Sequence, residues 1–521
     1  MGHSGHQDGF CRANLPATEL WPEFRFDLPE LAYPERLNCA AALLDPVDPD
    51  RPCLRTDTET WTYGDLQRRS SQIAHVLTED YGLVSGNRVL LRGPNNPWLV
   101  AAWFGVVKAG GVVVTTMPLL RAGEVATITE ITQPMLVICD ARFTEDLPDN
   151  DLPVLTYPEA LEAHSSTKSE TFAPADTAAD DVVLLATTSG TTGRPKATMH
   201  FHRDVLAIAD TFGKHVLKPT TDDVFTGTPP IGFTFGLGGL VIFPLRAGAS
   251  TLLTERATPA ELADAIARHQ VSVLFTAPTA YKAMLASTGK LGSLRRCVSA
   301  GEHLAQPVWA EFQHRTGIRI IDGIGATEML HIFISAADDD IRPGSTGKAV
   351  PGYQAAILDN DGNPVEDGVA GRLAVKGPTG CRYLGDPRQQ TQVQNGWNLT
   401  GDTFIRDADG YFWYQGRTDD MIISSGYNIA APEVEEALAG HPDVAEAAVV
   451  GVPDPDRGMI VKAFVVLNPD VPAGQSTVAG LQDYVKQAIA PYKYPRAVEF
   501  LTALPKTSTG KVQRHRLRTL G

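Results

Sequence analysis

Residues 187–196 read TTSGTTGRPK and follow the apolar run Val182-Val183-Leu184-Leu185-Ala186. A buried strand that opens into a loop of small residues exposes successive backbone N–H groups, and such a nest suits phosphate oxygens. Gly190 and Gly193 let the backbone approach closely, while Arg194 and Lys196 supply countercharge. The pattern G-x-x-x-x-G-K-[ST] cannot be matched here, so this is not a Walker A loop. An ordinary polar loop is the alternative reading of any such cluster taken alone. As a phosphate grip, its contacts would be Thr188, Ser189, Gly190, Thr191, Thr192, Gly193 and Lys196.

Further segments with chemical potential follow in order. They are Ala300-Gly301-Glu302, then Asp322-Gly323-Ile324-Gly325-Ala326-Thr327-Glu328, then Thr400-Gly401-Asp402. After these come GRTDDMIISSGYNIAAPEVE at 416–435 and PKTSTGK at 505–511. Each has a bland reading when isolated. Asp402 after a glycine suits a turn, and Lys511 beside Arg514, Arg516 and Arg518 suits a solvated basic tail. Phe233 and Phe235 suit a core, and His331 a satisfied structural histidine.

The elements that must position these residues alternate in type. Apolar runs at 88–91, 136–139, 272–275 and 319–321 read as strands, and 67–77 and 260–269 read as helices. That alternation predicts an α/β fold with largely parallel, doubly covered sheets. A turn-rich β region follows, with Asn360-Asp361-Gly362 and 406–414 as hairpin signals. Beyond Gly416 the pattern becomes a compact α+β module. Near the start, Trp21, Phe24 and Phe26 read as anchors of an N-terminal arm.

The formal charge of −16 argues against nucleic acid as the main partner, though a local basic pocket can still take an anionic substrate. Six scattered cysteines without C-x-x-C spacing suit reduced thiols in a cytoplasmic protein. The N-terminal MGHSGHQDGF lacks the basic-then-apolar order of a secretory signal, and no apolar run reaches membrane-spanning length.

In their order and spacing these segments resemble the adenylate-forming superfamily of acyl-CoA synthetases, luciferases and peptide-synthetase adenylation domains. The resemblance implies a large N-terminal domain (1–416) of two doubly wound sheets plus a distorted β-barrel. A hinge (417–420) would lead to a small mobile α+β lid (421–521). It implies that ATP converts a carboxylic acid to an acyl-adenylate, after which the acyl group passes to a thiol. Lys511 matches the lysine bridging the carboxylate and α-phosphate, Thr327 contacts phosphate, and Glu328 holds Mg²⁺. Asp402 and Arg417 serve the ribose. Ala300, Gly301 and Glu302, with Asp322, Gly323, Ile324 and Gly325, wall the adenine; the family's usual aromatic before Gly-x-Thr-Glu is missing here. Asp419 matches the hinge, and rotation about it would bring Ser425, Gly426 and Tyr427 towards the adenylate, with Gly426 lining the pantetheine tunnel.

PPIGFTFGLGGLVIFP at 229–244 and DGIGATEMLHIFIS at 322–335 resemble the benzoate-CoA ligase branch, with the closest likeness to 2-aminobenzoate-CoA ligases. By that resemblance Phe233 gates between acyl pocket and thiol tunnel, while Thr234, Phe235, Gly325, His331 and Ile332 line the pocket. Benzoate, salicylate and 2-aminobenzoate all suit such a pocket, and the thiol is free CoA or that of a separate carrier protein. A non-catalytic aryl-acid or nucleotide-binding protein is the alternative of another class.

Overall fold

The computed structural model describes residues 3–188, 195–301, 304, 306–417, 421–505, 512 and 514–520. The strands Arg88–Arg92, Val112–Thr116 and Leu136–Asp140 are buried at every position. Being covered on both faces, they need apolar side chains on both, so they read as continuous runs rather than alternations. They pair in parallel in a six-stranded sheet, which ends in Val182–Thr188 and the antiparallel Lys196–Phe201. The helix Pro97–Lys108 packs here, buried along its whole length. Asn96 caps it by accepting from Leu99 N–H at 3.0 Å, and Pro97 occupies the first turn, where no N–H is needed.

A nine-stranded sheet carries the second half of the core. Its central members Val224–Gly227, Val273–Thr276, Arg296–Ser299 and Ile320–Gly325 run parallel. Ile332–Ser335 returns antiparallel to Ile320–Gly325, with an irregularity between Ile324 and Gly325. The helix Pro259–His269 lies where the sequence places one, started by a reciprocal capping box between Thr258 and Glu261.

The turn-rich region forms a five-stranded antiparallel sheet that includes Gln354–Leu358, Ala370–Lys376, Trp397–Arg406 and Phe412–Arg417. The tight turn signalled by Asn360-Asp361-Gly362 forms: Leu358 bridges Pro364 antiparallel, Asp359 N–H donates to the Asn363 carbonyl at 2.9 Å, and Val365 N–H donates to the Ile357 carbonyl at 2.9 Å. The Asp359 carboxylate steadies this turn by accepting from the N–H groups of Asp361 and Asn363, and Gln354–Leu358 pairs in addition with Ala370–Lys376. The second signal closes a hairpin too, pairing Arg406 with Phe412.

The C-terminal module has its own five-stranded sheet, which includes Val444–Asp454, Gly458–Leu467 and Ala497–Phe500. Helices Ala431–Ala439 and Gln475–Ala488 close a separate core around Ile422, Val434, Leu438, Val449 and Val485. Trp21 packs on Phe201 at 6.0 Å and on Phe24 at 6.1 Å, which ties the N-terminal arm to the six-stranded sheet. All six cysteines are buried and unpaired. Among the described residues no helix is long and apolar enough to cross a membrane.

Candidate active site

Four parallel strands of the nine-stranded sheet end on one cavity of about 690 Å³, where their outgoing loops contribute Thr228, Ala277, Ala300 and Ala326. A crevice at the carboxyl ends of parallel strands is where α/β folds place ligands. Thr188 and Lys196 reach it from the six-stranded sheet, and Ser425, Gly426 and Tyr427 from the C-terminal module.

Thr188 and Lys196 face each other across the antiparallel pair, so residues 189–194 connect two adjacent strands. Ser189, Gly190, Thr191, Thr192 and Gly193 lie outside the described residues. The Thr188 hydroxyl is buried and has no hydrogen-bond partner among the described residues. Lys196 Nζ donates to the Tyr383 hydroxyl at 2.6 Å and lies 3.5 Å from Glu328 Oε1. The Tyr383 hydroxyl in turn donates to Glu328 Oε1. Burial works against ionisation of Glu328, but the Lys196 ammonium and the Tyr383 hydroxyl outweigh it and hold the carboxyl below its usual range. Thr327 is fixed by its backbone carbonyl, which accepts from His200 Nε2 at 2.8 Å. His200 is fully buried, which lowers its pKa and keeps the ring neutral.

Among the described residues no group of three His, Cys, Asp or Glu side chains could hold a metal ion. A cation at Glu328 would have one carboxylate, the Thr188 and Thr327 hydroxyls and the nucleotide itself. That all-oxygen set fits Mg²⁺, which commonly takes one or two carboxylates plus phosphates and water.

Asp402 lines the cavity from the strand Trp397–Arg406, and its cross-strand partner is Arg417. Ala300, Gly301 and Gly325 also line it, whereas Asp322, Gly323 and Ile324 do not. Ile324 packs against the main core, and a Cβ at Gly323 would lie 2.8 Å from the Ile332 side chain. Asp322 borders a separate small space beside Trp309 and Arg342, and burial pushes its carboxyl up to about 8. Glu302, Asp419 and Lys511 lie outside the described residues.

Phe233, Thr234, Phe235, His331 and Ile332 line one end of the cavity. The His331 ring lies among phenylalanines, with centroids 4.6 Å from Phe243 and 5.6 Å from both Phe212 and Phe235. Burial drives its pKa down to about 3, against the Phe235 backbone beside it, so the ring is neutral. Neither ring nitrogen makes a hydrogen bond of good geometry among the described residues. The glycines of GFTFGLGG make room for this packing. A Cβ on Gly236 would lie 2.6 Å from the Pro229 carbonyl, and one on Gly238 would lie 2.7 Å from His331 Nε2. Gly238→Ala is therefore expected to cost about 1–3 kcal/mol through overpacking. A thermal melt matching the parent protein would refute the contact.

The C-terminal module meets the rest of the chain at this cavity. A Cβ on Gly426 would stand 3.3 Å from Ala277 Cβ. Tyr427 stacks on Tyr492 with centroids 4.2 Å apart. Lys493, 4% exposed, bonds Glu433 Oε1 at 2.6 Å within the module and also bonds Glu124 of the six-stranded half. The Glu124 carboxylate accepts from Ala490 N–H as well, at 2.8 Å.

Burial, with Glu124 nearby and Lys493 opposing, pushes Glu433 up to about 7. Above the ordinary glutamate value of about 4.3, the folded protein then keeps a proton that the unfolded chain has released. This contribution is full below that value and is lost as pH rises through about 7. Glu433→Gln removes it. The melting temperature of the parent is thus expected to fall, relative to the Gln variant, between about pH 5 and pH 8. Parallel curves would refute it.

Sequence reasoning missed Tyr383, His200, Lys493 and Asn95. Asn95 braces the aromatic loop by donating to the Pro229 carbonyl and accepting from Ile231 N–H. No local pattern marks any of the four, because each acts on a segment far away in the chain.

Comparison with known proteins agrees with this geometry. The family described as AMP-binding enzyme matches residues 46–383, and the AMP-binding enzyme C-terminal domain matches 433–511. A benzoate–CoA ligase of Thauera aromatica is 36% identical over 515 residues, covering 94% of this chain and 97% of the relative. The structure of the anthranilate CoA ligase AuaEII, in complex with anthranoyl-AMP, aligns with a TM-score of 0.73 at 33% identity, covering 95% of this chain and 99% of that one. A benzoate CoA ligase from Burkholderia xenovorans LB400 aligns with a TM-score of 0.71 at 31% identity, covering 92% and 100%. The chain belongs to the AMP-binding enzyme family, and within it to the adenylate-forming benzoate–CoA ligase branch.

Proposed function

We propose that the protein is an AMP-forming aryl-CoA ligase, dependent on ATP and Mg²⁺, whose preferred acid is 2-aminobenzoate. The observation that carries the choice of acid is the end of the cavity around His331. Phenylalanine rings and a neutral imidazole without a good hydrogen-bond partner suit a flat ring bearing one polar substituent. A buried polar group left unpaired favours the ligand that pairs it, so the substituted benzoate gains over benzoate itself.

In this reading residues 1–416 bind acid and ATP, 417–420 form the hinge, and 421–521 form the lid. The acid carboxylate attacks the α-phosphate and pyrophosphate leaves, so negative charge shifts along the phosphates. Lys196, Thr188 and the 189–194 backbone would hold that charge, with Lys511 between carboxylate and α-phosphate. Mg²⁺ on Glu328 supplies charge neutralisation at the phosphates. The CoA thiol, entering past Gly426, then attacks the acyl carbon and AMP leaves.

Benzoate, salicylate and 2-aminobenzoate, each assayed with ATP and CoA and with a phosphopantetheinylated carrier, test the proposal. The highest kcat/KM is expected for 2-aminobenzoate with CoA. Equal use of the three acids would remove the choice of acid, and turnover with the carrier alone would remove CoA. Thr234→Ala is expected to reorder the three acids while leaving the ATP KM within about twofold. An unchanged order would take Thr234 out of the pocket.

A further inference from the structure

Tyr383 belongs to none of the sequence motifs, yet its hydroxyl touches both opposite charges on the phosphate side of the cavity. Lys196 and Glu328 are oppositely charged, and their side chains are only 14% and 13% exposed. They nevertheless stand 3.5 Å apart, longer than the ~2.7–2.9 Å of a direct charge-assisted bond. The short bonds go to the phenol instead, which accepts from Lys196 at 2.6 Å and donates to Glu328.

The phenol is held from several sides. Tyr383 is fully buried, its N–H donates to Gln389 Oε1 at 2.9 Å, and its backbone bridges Thr198 on the strand that carries Lys196. Lys196 also lies over the ring, 4.5 Å from its centroid. Gln389 is anchored in turn, donating to the Leu20 carbonyl at 2.8 Å. The hydroxyl therefore cannot swing aside without breaking the pairing that sets Lys196 itself.

Building on the adenylating reading above, we propose that Tyr383 is a positioning residue for the nucleotide. Its hydroxyl holds the Lys196–Glu328 ion pair at 3.5 Å, keeps it from closing to short contact, and leaves both groups open to the phosphates and their cation. A buried ion pair in contact is hard to pull apart, because each partner must give up a strong interaction in a low-dielectric place. A phenol between them satisfies both with bonds that a phosphate oxygen or a hydrated cation can replace. Glu328 would meet the cation and Lys196 the phosphates. Tyr383 would touch neither.

The test is the affinity of the full chain for ATP without metal, measured by calorimetry on Tyr383→Phe. Closure of Lys196 onto Glu328 should weaken binding about tenfold, the scale of one charge-assisted hydrogen bond. On a Glu328→Gln background there is no ion pair to close, so Tyr383→Phe should have no further effect. Thioester formation from supplied aryl-adenylate should stay within about twofold in the Phe variant, since that half-reaction does not need the pair. Unchanged ATP affinity in Tyr383→Phe, the same further loss on the Gln background, or an equal loss of thioester formation would each overturn the proposal. A parent protein that binds ATP but releases no pyrophosphate would sink the adenylating reading instead, and the calorimetric cycle would still judge Tyr383.

Discussion

Lys511→Ala is expected to lower adenylation about 10²–10³-fold, the scale of removing one preorganised donor from a developing oxyanion. Thioester formation from supplied aryl-adenylate should stay within about twofold. Attack of a carboxylate on an α-phosphate brings two anions together, and a cation bridging them gains most of its interaction in the transition state. Thiol attack on the acyl carbon creates no such encounter. In this structure the cavity edge carries Ser425, Gly426 and Tyr427, seated by Lys493 between Glu433 and Glu124. If that seat is the thioester-forming one, the lysine near the C-terminus acts in a different seat. Pyrophosphate exchange reads the first half-reaction, and CoA-dependent consumption of synthetic adenylate reads the second. Equal loss in both assays would contradict an alternating lid.

The parts of the fold that were legible in the sequence are those with local causes. Arg88–Arg92 and Leu136–Asp140 announce themselves because strands buried on both faces need unbroken apolar runs. Pro259–His269 carries its own start signal in Thr258 and Glu261. The glycines of GFTFGLGG were visible as a motif, but their cause was not. Only the packed structure reveals that Gly238 leaves space for the His331 ring and Gly236 for the Pro229 carbonyl.

The site was half legible for the same reason. Thr188, Lys196, Glu328 and Asp402 sit in short motifs and do line one cavity. Asp322, Gly323 and Ile324 sit in such a motif too, yet only Gly325, at the carboxyl end of their strand, reaches the cavity. Tyr383 and Lys493 act across wide sequence separations, through strand pairing in one case and the meeting of two modules in the other. Neither leaves a pattern that one-dimensional reading can find.

Gly426→Val is expected to produce the opposite kinetic signature to Lys511→Ala. CoA-dependent consumption of adenylate should fall about a hundredfold or more, while pyrophosphate exchange stays within about threefold. Two physical costs act together at this position. Gly426 has φ +81°, where a side chain costs about 1–2 kcal/mol in this backbone region. The first added carbon would already stand 3.3 Å from Ala277 Cβ, so the two branch methyls of valine must project into the cavity or push the turn off its seat. Either outcome blocks a thin thiol arm, and neither touches Lys196, Glu328 or Asp402. Gly426→Ala separates the two costs. It carries the backbone strain with a single methyl, so a variant close to the parent would assign the valine defect to space rather than strain. Loss of both half-reactions in the valine variant would mean that this turn supports the whole site, not the approach of the thiol alone.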